Sequence, residues 1–219
     1  MGRRAGSRNL DYARTREQIV SRLASGMLAT DRSHLSFREL AHAASVPPST
    51  LRHYFPDRER VLDAVLERLH ALGLRYLAEG AMAERGDLRD SLRWFIGFLV
   101  EGWSRGAGRS HALGLAEGIG DGSLGPAYLR HLLEPTLRSA EVRIERHLAR
   151  GEMAPCDARL AAIELVAPVV IVLLHQGALG GASVRPLDVE AFLDEHVARF
   201  ALAFAPVPAG RALPRRRSR

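Results

Sequence analysis

The segment Ser36–Leu62 reads SFRELAHAASVPPSTLRHYFPDRERVL and contains the signals that decide the fold. Ser36 and Glu39 form an S-x-x-E capping box, which predicts that a helix begins there. Four residues at helical spacing predict its buried face: Phe37, Leu40, Ala41 and Ala44. Pro47 and Pro48 end that helix and can begin another, because the first turn of a helix does not need the N–H group that proline lacks. The order of these signals predicts a helix-turn-helix.

The second helix of the pair, residues 49–54, is short and mostly polar. Its side chains can donate hydrogen bonds to DNA phosphates and base edges. Leu51 and Phe55 are the apolar residues expected to turn inward. Asp57 is the predicted N-cap of a third, longer helix. The candidate DNA contacts are Arg38, Pro48, Ser49, Thr50, Arg52, His53, Tyr54 and Arg58.

This segment resembles the DNA-binding domain of the tetracycline-repressor (TetR) family of transcriptional regulators. The positions that match the family pattern are Leu40, Ala41, Ala44, Val46, Ser49, Thr50, Leu51, Tyr54, Phe55, Glu59 and Leu62. The chain departs from the pattern at four positions. Ser45 replaces a turn glycine and Pro47 replaces a capping serine, and both bear on the pitch between the two helices. Arg52 replaces a tyrosine and Arg58 a lysine, and both keep donors where the family faces phosphates.

The resemblance implies an all-α fold with two domains. Residues 1–58 would form a three-helix DNA-binding domain, and residues 59–205 a helical domain that binds a small-molecule effector and forms a homodimer. The implied function is ligand-responsive binding of operator DNA, most simply as a repressor. Residues 206–219 would form a basic tail without a fold of its own.

Composition and charge agree with a globular protein that meets nucleic acid. Of the 219 residues, 47% are hydrophobic and 26% charged, and one cysteine excludes a disulfide within the chain. The net charge is uneven, at +5 over residues 1–60, −4 over residues 61–208 and +5 over residues 209–219. A basic N-terminal region is typical of a DNA-binding domain. The first 30 residues lack the apolar run of a signal peptide, so a cytoplasmic protein without a membrane partner is expected.

The remaining chain shows helical periodicity and no credible strand. Helices are predicted over residues 15–30, 57–83, 87–103, 111–117, 128–150, 157–176 and 187–204. Residues 1–13 are rich in Gly, Arg and Ser and are expected to be disordered. The alternating charges of residues 141–150 are typical of a solvated helix face.

Two of these helices are apolar on more than one side. Residues 157–178 are apolar nearly all round, and residues 187–204 carry more than one apolar stripe. Two such helices from each of two subunits would form a four-helix dimer interface. The alternative is that both helices fill the core of a single subunit.

An effector pocket is the expected second site, since the resemblance implies a cavity inside the larger domain. Apolar pockets with a few polar groups bind small molecules. The candidate lining residues are Trp94, Phe98, Trp103, Tyr128 and His175. Each of them could instead be an ordinary core residue.

No motif in the sequence gives positive evidence of catalysis, a cofactor or a metal. Gly120–Gly125 spells G-x-G-x-x-G, but the dinucleotide fingerprint needs a preceding strand, so a loop is predicted. The nine histidines show no metal-ligand spacing, and no G-x-S-x-G elbow occurs. A helical enzyme and a protein-interaction module with a small-molecule pocket remain the alternative functions.

Overall fold

The computed structural model of the chain describes residues 5–29, 35–83, 86–120 and 122–206. Helices and no strand occur in these ranges, which confirms the all-α prediction. The helices are α1 Ala5–Ala29, α2 Phe37–Ala43, α3 Pro48–Tyr54, α4 Arg58–Met82, α5 Leu88–Gly102, α6 Gly108–Gly118, α7 Leu124–Tyr128, α8 Glu134–Ala149, α9 Ala158–Gln176, α10 Gly181–Val184 and α11 Val189–Ala203. Wide π-helical turns join α5 to α6 and α7 to α8.

The first helix is longer than the sequence predicts. It begins at Ala5, so the prediction of disorder is wrong for residues 5–13, while residues 1–4 lie outside the described part of the chain. Thr15 is not an N-cap, because its hydroxyl donates to the carbonyl oxygen of Asp11 at 2.9 Å inside the helix. The predicted basic tail lies outside the described residues from position 207 onward.

Contacts between Cα atoms divide the chain into two compact units. The first comprises residues 1–78 and 100–136, and the second residues 79–99 and 137–219. This division does not test the predicted boundary between a DNA-binding domain and a second domain at residue 58, which stays a prediction.

The first unit has an apolar core built on the N-terminal helices. It consists of side chains from α1 to α4 together with Leu124 of α7, which is 1% exposed. Its largest buried members are Ile19, Leu23, Leu40, Leu51, Phe55 and Leu62. The helix-turn-helix therefore shares its core with part of the chain that is far away in sequence.

The second unit buries apolar side chains from several helices. They include Ala81 of α4, Leu92, Phe95 and Ile96 of α5, Ala140 and Ile144 of α8, Ala161, Leu165 and Val169 of α9, and Leu193, Val197 and Phe200 of α11. α11 packs on α9, and its His196 is hydrogen-bonded through Nε2 to the carbonyl oxygen of Leu165 at 2.8 Å. Arg93 of α5 forms ion pairs with Glu190 and Asp194 of α11, both at 2.5 Å.

The charged face predicted for residues 141–150 is wrong in part. Arg143 is 2% exposed and His147 is 1% exposed, so both lie inside the second unit. Alternating charges indicate a solvent-exposed helix face only when the fold offers the charged side chains no buried partner. Here Arg143 and His147 both have buried partners.

Candidate nucleic-acid interface and buried polar centres

The first helix of the helix-turn-helix begins at the predicted capping box. The backbone N–H of Glu39 donates to Ser36 Oγ at 3.3 Å, and the backbone N–H of Ser36 donates to Glu39 Oε2 at 2.8 Å. Each residue thus satisfies a backbone donor of the other. This local signal places the start of α2 where the sequence predicts it.

The turn between α2 and α3 contains a serine where glycine is usual. Ser45 has φ of +56°, a left-handed conformation that favours glycine. The N–H of Ser45 donates to the carbonyl of His42 and the N–H of Val46 to the carbonyl of Ala41, which together form a Schellman motif. The chain therefore keeps the turn that a glycine would form, at the cost of backbone strain at Ser45.

The seven-residue α3 has an apolar inner side and a polar outer side. Leu51 is 0% exposed and Phe55 is 2% exposed, so these two residues anchor the helix to the core. Pro48, Ser49, Arg52 and His53 are exposed, as is Arg38 of α2, and Thr50 and Tyr54 are half-buried. Pro47 occupies the N-cap and makes no side-chain capping bond. The predicted DNA contacts on α3 thus share one polar, accessible helix surface.

Aromatic contacts fix several of these side chains. The guanidinium of Arg52 lies over the ring of Phe37, 4.9 Å from its centroid. Tyr12 of α1 lies against α3, with its ring centroid 4.7 Å from that of Tyr54 and 5.6 Å from that of His53. Sequence reasoning missed Tyr12, because it assigned the start of α1 to a disordered arm.

Arg58 occupies a different environment from the other candidates. Its Nε donates to the carbonyl oxygen of Leu35 at 2.7 Å, and its Nη2 pairs with Glu117 Oε2 of α6 at 2.6 Å. Its side chain is 23% exposed and that of Glu117 is 5% exposed. In this structure the guanidinium is bound within the protein, and its predicted phosphate contact stays a prediction.

Two candidate effector residues, Trp94 and Phe98, form a stacked pair in the second unit. Their ring centroids are 5.1 Å apart, and both side chains are half-buried. Phe98 lies directly on the backbone of α4 at Gly80, where an added Cβ would come within 2.7 Å of its ring. The pair is therefore held tightly from one side.

Trp103 and Tyr128 meet in the first unit through a histidine that the sequence did not single out. The rings of Trp103 and His111 are stacked at 5.3 Å, and His111 Nδ1 is 3.0 Å from Tyr128 Oη. Burial lowers the pKa of His111 to about 4 and raises the pKa of Tyr128 to about 12. The cluster is therefore uncharged at neutral pH.

His175 makes no ring contact with the Trp94–Phe98 pair or with the Trp103–His111–Tyr128 group. It lies at the end of α9, is exposed, and its ring Nδ1 is 2.7 Å from the side-chain nitrogen of Gln176. The prediction that all five residues line one pocket stays a prediction.

The most extensive buried polar network centres on Arg143. Its guanidinium donates to the carbonyl oxygen of Gly80 at 2.5 Å, to that of Ala83 at 2.7 Å and to Ser91 Oγ at 2.6 Å. Arg146 adds a bond to the carbonyl oxygen of Met82 at 2.6 Å. Carbonyl groups at the end of α4 that lack helical partners thus receive arginine donors.

The same network contains a serine, a histidine and a glutamate in the atom order of a catalytic triad. Ser91 Oγ is 2.8 Å from His147 Nε2, and Nδ1 of that ring contacts Glu152. Burial lowers the pKa of His147. Ser91 is 2% exposed and already accepts a bond from Arg143, so a substrate cannot approach its hydroxyl oxygen. The arrangement is a packing network.

Two further findings concern the described residues. No group of three or more His, Cys, Asp or Glu side chains among them is arranged to hold a metal ion. α9 has the length and composition of a membrane-spanning helix, with a mean hydropathy of 2.0 over its most apolar window. Core helices of soluble proteins share both properties, so a single helix of this kind is weak evidence for a membrane span. Within the protein, 28% of that window is buried.

The described residues form helices only, with a helix-turn-helix near the N-terminus. No protein-family model matches the sequence, and no curated protein sequence matches it. Solved structures do resemble the structure of this chain. The fold is that of TetR-family transcriptional regulators.

Three of these structures illustrate the similarity. A protein from Mesorhizobium loti assigned to the TetR family has a TM-score of 0.69 at 17% identity, over 89% of this chain and 98% of that chain. A TetR transcriptional regulator from Agrobacterium tumefaciens has a TM-score of 0.62 at 22% identity, over 87% and 95%. SmeT, the repressor of a Stenotrophomonas maltophilia multidrug efflux pump, has a TM-score of 0.56 at 20% identity, over 88% and 91%.

Proposed function

We propose that the protein is a transcriptional regulator, a homodimer that represses genes by binding operator DNA and is released from it by a small molecule. The observation that carries the proposal is the two-sided character of α3. Its inner side chains are sealed in the core, and its outer ones are polar and accessible. A helix of this kind inserts into the major groove, where base edges differ in their donors and acceptors.

The role of each α3 residue follows from its position. Ser49 and Thr50 lie in the first turn of α3, the part of a recognition helix that reads base edges. Arg52, His53 and Tyr54 lie in the last turn and would contact phosphates or further bases. Arg38, in the first turn of α2, is an exposed cation for the phosphate backbone. An Arg58 contact would require its bond to Glu117 to open.

The dimer is supported by apolar side chains that α9, α11 and the adjoining loops leave uncovered. Each of the two helices buries one side, yet large apolar residues on their other sides are exposed. Those on α9 and α11 include Leu160 at 59%, Ile171 at 63% and Leu202 at 78%, and Leu179 at 76% and Val184 at 83% lie in the segment between the two helices. A second copy of the chain would cover such exposed apolar side chains.

The effector is supported by two aromatic groups, in which Trp94, Phe98 and Trp103 are half-buried and His111 and Tyr128 are buried. The stacked pair Trp94–Phe98 and the uncharged group Trp103–His111–Tyr128 are each suited to a flat apolar ligand. Replacement of Trp94 or Phe98 by Ala should abolish ligand-induced release while leaving DNA affinity intact. Equal loss of DNA affinity would show that these rings only maintain the fold.

The proposed mechanism couples the two binding events through α4. An effector that shifts this helix would change the spacing of the two DNA-binding heads, whose half-sites lie about 34 Å apart. Ligand and DNA would then oppose each other through one coupling free energy. The helix is continuous from Arg58 to Met82, so a displacement at one end is carried along it.

Selection of duplex DNA from a random pool by the purified protein tests the proposed function. A homodimer should enrich a palindrome with two half-sites one helical turn apart. Arg52→Ala should weaken binding to all duplexes and reduce the salt dependence if Arg52 contacts a phosphate. A loss confined to one base pair would instead make Arg52 a base reader, and enrichment of no sequence would contradict the proposal.

Light scattering tests the dimer with two matched variants. Ile171→Glu places a charge in the proposed interface and should yield a monomer. Leu72→Glu is the control, because Leu72 of α4 is exposed to the same degree, 62% against 63%. A dimer that tolerates Ile171→Glu would contradict this interface. Turnover of a substrate, or a dimer whose head ignores DNA, would favour the helical enzyme or the interaction module.

A further inference from the structure

We propose that Tyr12 of α1 is a specificity-positioning residue, which orients His53 and Tyr54 for base readout without reading a base itself. The inference rests on the proposed DNA-binding function of α3. Tyr12 lies outside the helix-turn-helix in sequence, and no motif marks it. Its ring is nevertheless within 4.7 Å of Tyr54 and 5.6 Å of His53 between centroids.

The three rings hold one another as a closed group. His53 and Tyr54 are edge-to-face at 5.0 Å and 79°, and Tyr12 meets His53 at the same interplanar angle of 79°. Edge-to-face and tilted arrangements are the favourable ones for aromatic pairs. Each ring therefore limits the rotation of the other two.

The polar atoms of this group remain available. None of the three side chains makes a hydrogen bond to a described residue, while the neighbouring Arg52 is held over Phe37. The His53 imidazole is oriented by its contacts with the other two rings, and the Tyr54 phenol by those contacts and by the core on which it packs. Removal of Tyr12 would leave both side chains on α3 with one ring contact fewer each.

The helix itself needs such support. α3 has seven residues, and helices of that length have little stability of their own. Leu51 and Phe55 fix its inner side, but they lie on the face opposite to the polar surface. Tyr12 supplies a contact from α1 to the last turn of α3, at an exposure of 40% that leaves part of its ring in solvent.

The experiment uses the full-length protein and a duplex selected from a random pool by the wild type. Dissociation constants are measured for that duplex and for versions with each base pair replaced in turn. The variants are His53→Ala, Tyr54→Ala, Tyr12→Ala and Tyr12→Phe. Leu10→Ala is the control, because Leu10 lies on the same helix and is 74% exposed.

Tyr12→Ala should reduce discrimination at the base pairs that His53→Ala or Tyr54→Ala also affects, by about two- to tenfold, the range spanned by one aromatic pair. Tyr12→Phe should retain discrimination because it keeps the ring. The salt dependence should stay unchanged in both, since no phosphate contact is lost. Combining Tyr12→Ala with His53→Ala should add less than the sum of the two single effects.

Three results would overturn the proposal. Tyr12→Ala indistinguishable from Leu10→Ala would make Tyr12 a bystander. A uniform loss on all duplexes, shared by Tyr12→Phe, would make its hydroxyl a direct DNA contact. The third is a His53 ring-proton resonance that Tyr12→Ala leaves unshifted in the NMR spectrum without DNA, since it would deny the ring contact. Failure of the proposed function is distinct, because the wild type would then enrich no sequence.

Discussion

The two ends of α4 are both held by arginine side chains, but under opposite electrostatic conditions. At the first residue, Arg58 of α4 itself lies at the positive end of the helix dipole and pairs with Glu117. At the last residues, Arg143 and Arg146 come from α8 and donate to carbonyl groups at the negative end. The same residue type thus pairs with a carboxylate at one helix end, and at the other end it donates to backbone carbonyl groups and to Ser91 Oγ.

The largest expected effect is at the C-terminal end of α4. Arg143→Met keeps most of the apolar length but leaves the carbonyl oxygens of Gly80 and Ala83 without this donor, while Ser91 keeps its contact with His147. Each buried acceptor without a partner costs about 1–3 kcal/mol, so we expect about 3 kcal/mol or more of lost stability in urea denaturation. The control is Arg138→Met on the same helix, because Arg138 is 58% exposed and its ion pairs lie in solvent. Equal effects of the two substitutions would contradict the structural role of Arg143.

The N-terminal end should show a smaller, pairwise effect. Glu117→Gln removes the carboxylate that offsets the charge of Arg58, and Arg58→Met removes the other partner. Each should cost about 2 kcal/mol, less than for a fully buried pair, because Arg58 keeps 23% exposure. In a double-mutant cycle the two losses should overlap by about 1 kcal/mol or more. Strictly additive losses would mean that the pair contributes nothing by itself.

Acid should lower the stability of both units. In the first unit the residue responsible is His111, which lies on α6 like Glu117. The folded-state pKa of His111 is lowered to about 4, below the ordinary value of 6.5. Its stabilisation is therefore fully present above pH 6.5 and is lost as the pH falls toward 4, by about 2 kcal/mol between pH 6.5 and 5.

Urea denaturation at a series of pH values measures this effect. His111→Asn should remove about one proton from the pH dependence. Burial lowers the pKa of His147 too, so the second unit changes in the same direction. An unchanged slope in His111→Asn would contradict the assignment to His111.

The smallest expected effect is at the end of α2, which extends the comparison to a third helix end. There the carbonyls of His42 and Ala41 accept from the backbone N–H groups of Ser45 and Val46, and Arg22 of α1 donates to the carbonyl oxygen of Ala44 at 3.3 Å. Ser45→Gly should raise stability by about 0.5 kcal/mol, because it relieves a left-handed serine at some cost in chain entropy. Ala43→Gly, in regular helix two residues earlier, should lower stability by about 1 kcal/mol. Effects of the same sign would mean that Ser45 is unstrained.

Features set by neighbours in sequence were predictable. The capping box at Ser36 and the start of α9 at Asp157 agree with the structure, and the Asp157 carboxylate accepts from the N–H groups of Arg159 and Leu160. The two-sided pattern of α3 also gave Leu51 and Phe55 as its buried anchors. Such signals act within one or two helical turns, so the sequence alone contains them.

Features that join distant parts of the chain were not predictable. Arg58 and Glu117 are 59 residues apart, and Arg143 is 63 residues from Gly80. Each residue looks like an ordinary surface charge until the fold supplies its partner. The contacts of Tyr12 were not predictable for the same reason. They require α1 to begin at Ala5, whereas the sequence predicted a start at Thr15.

The most direct test of the central claim is a fluorescence-anisotropy titration of the wild-type protein. The labelled duplex comes from the region beside its own gene, and excess unrelated DNA and increasing salt are present as competitors. We expect tight binding that survives the competitor, with two protein chains per site. Binding that disappears equally on all duplexes, for this region and for duplexes selected from a random pool, would contradict it and leave only a basic surface.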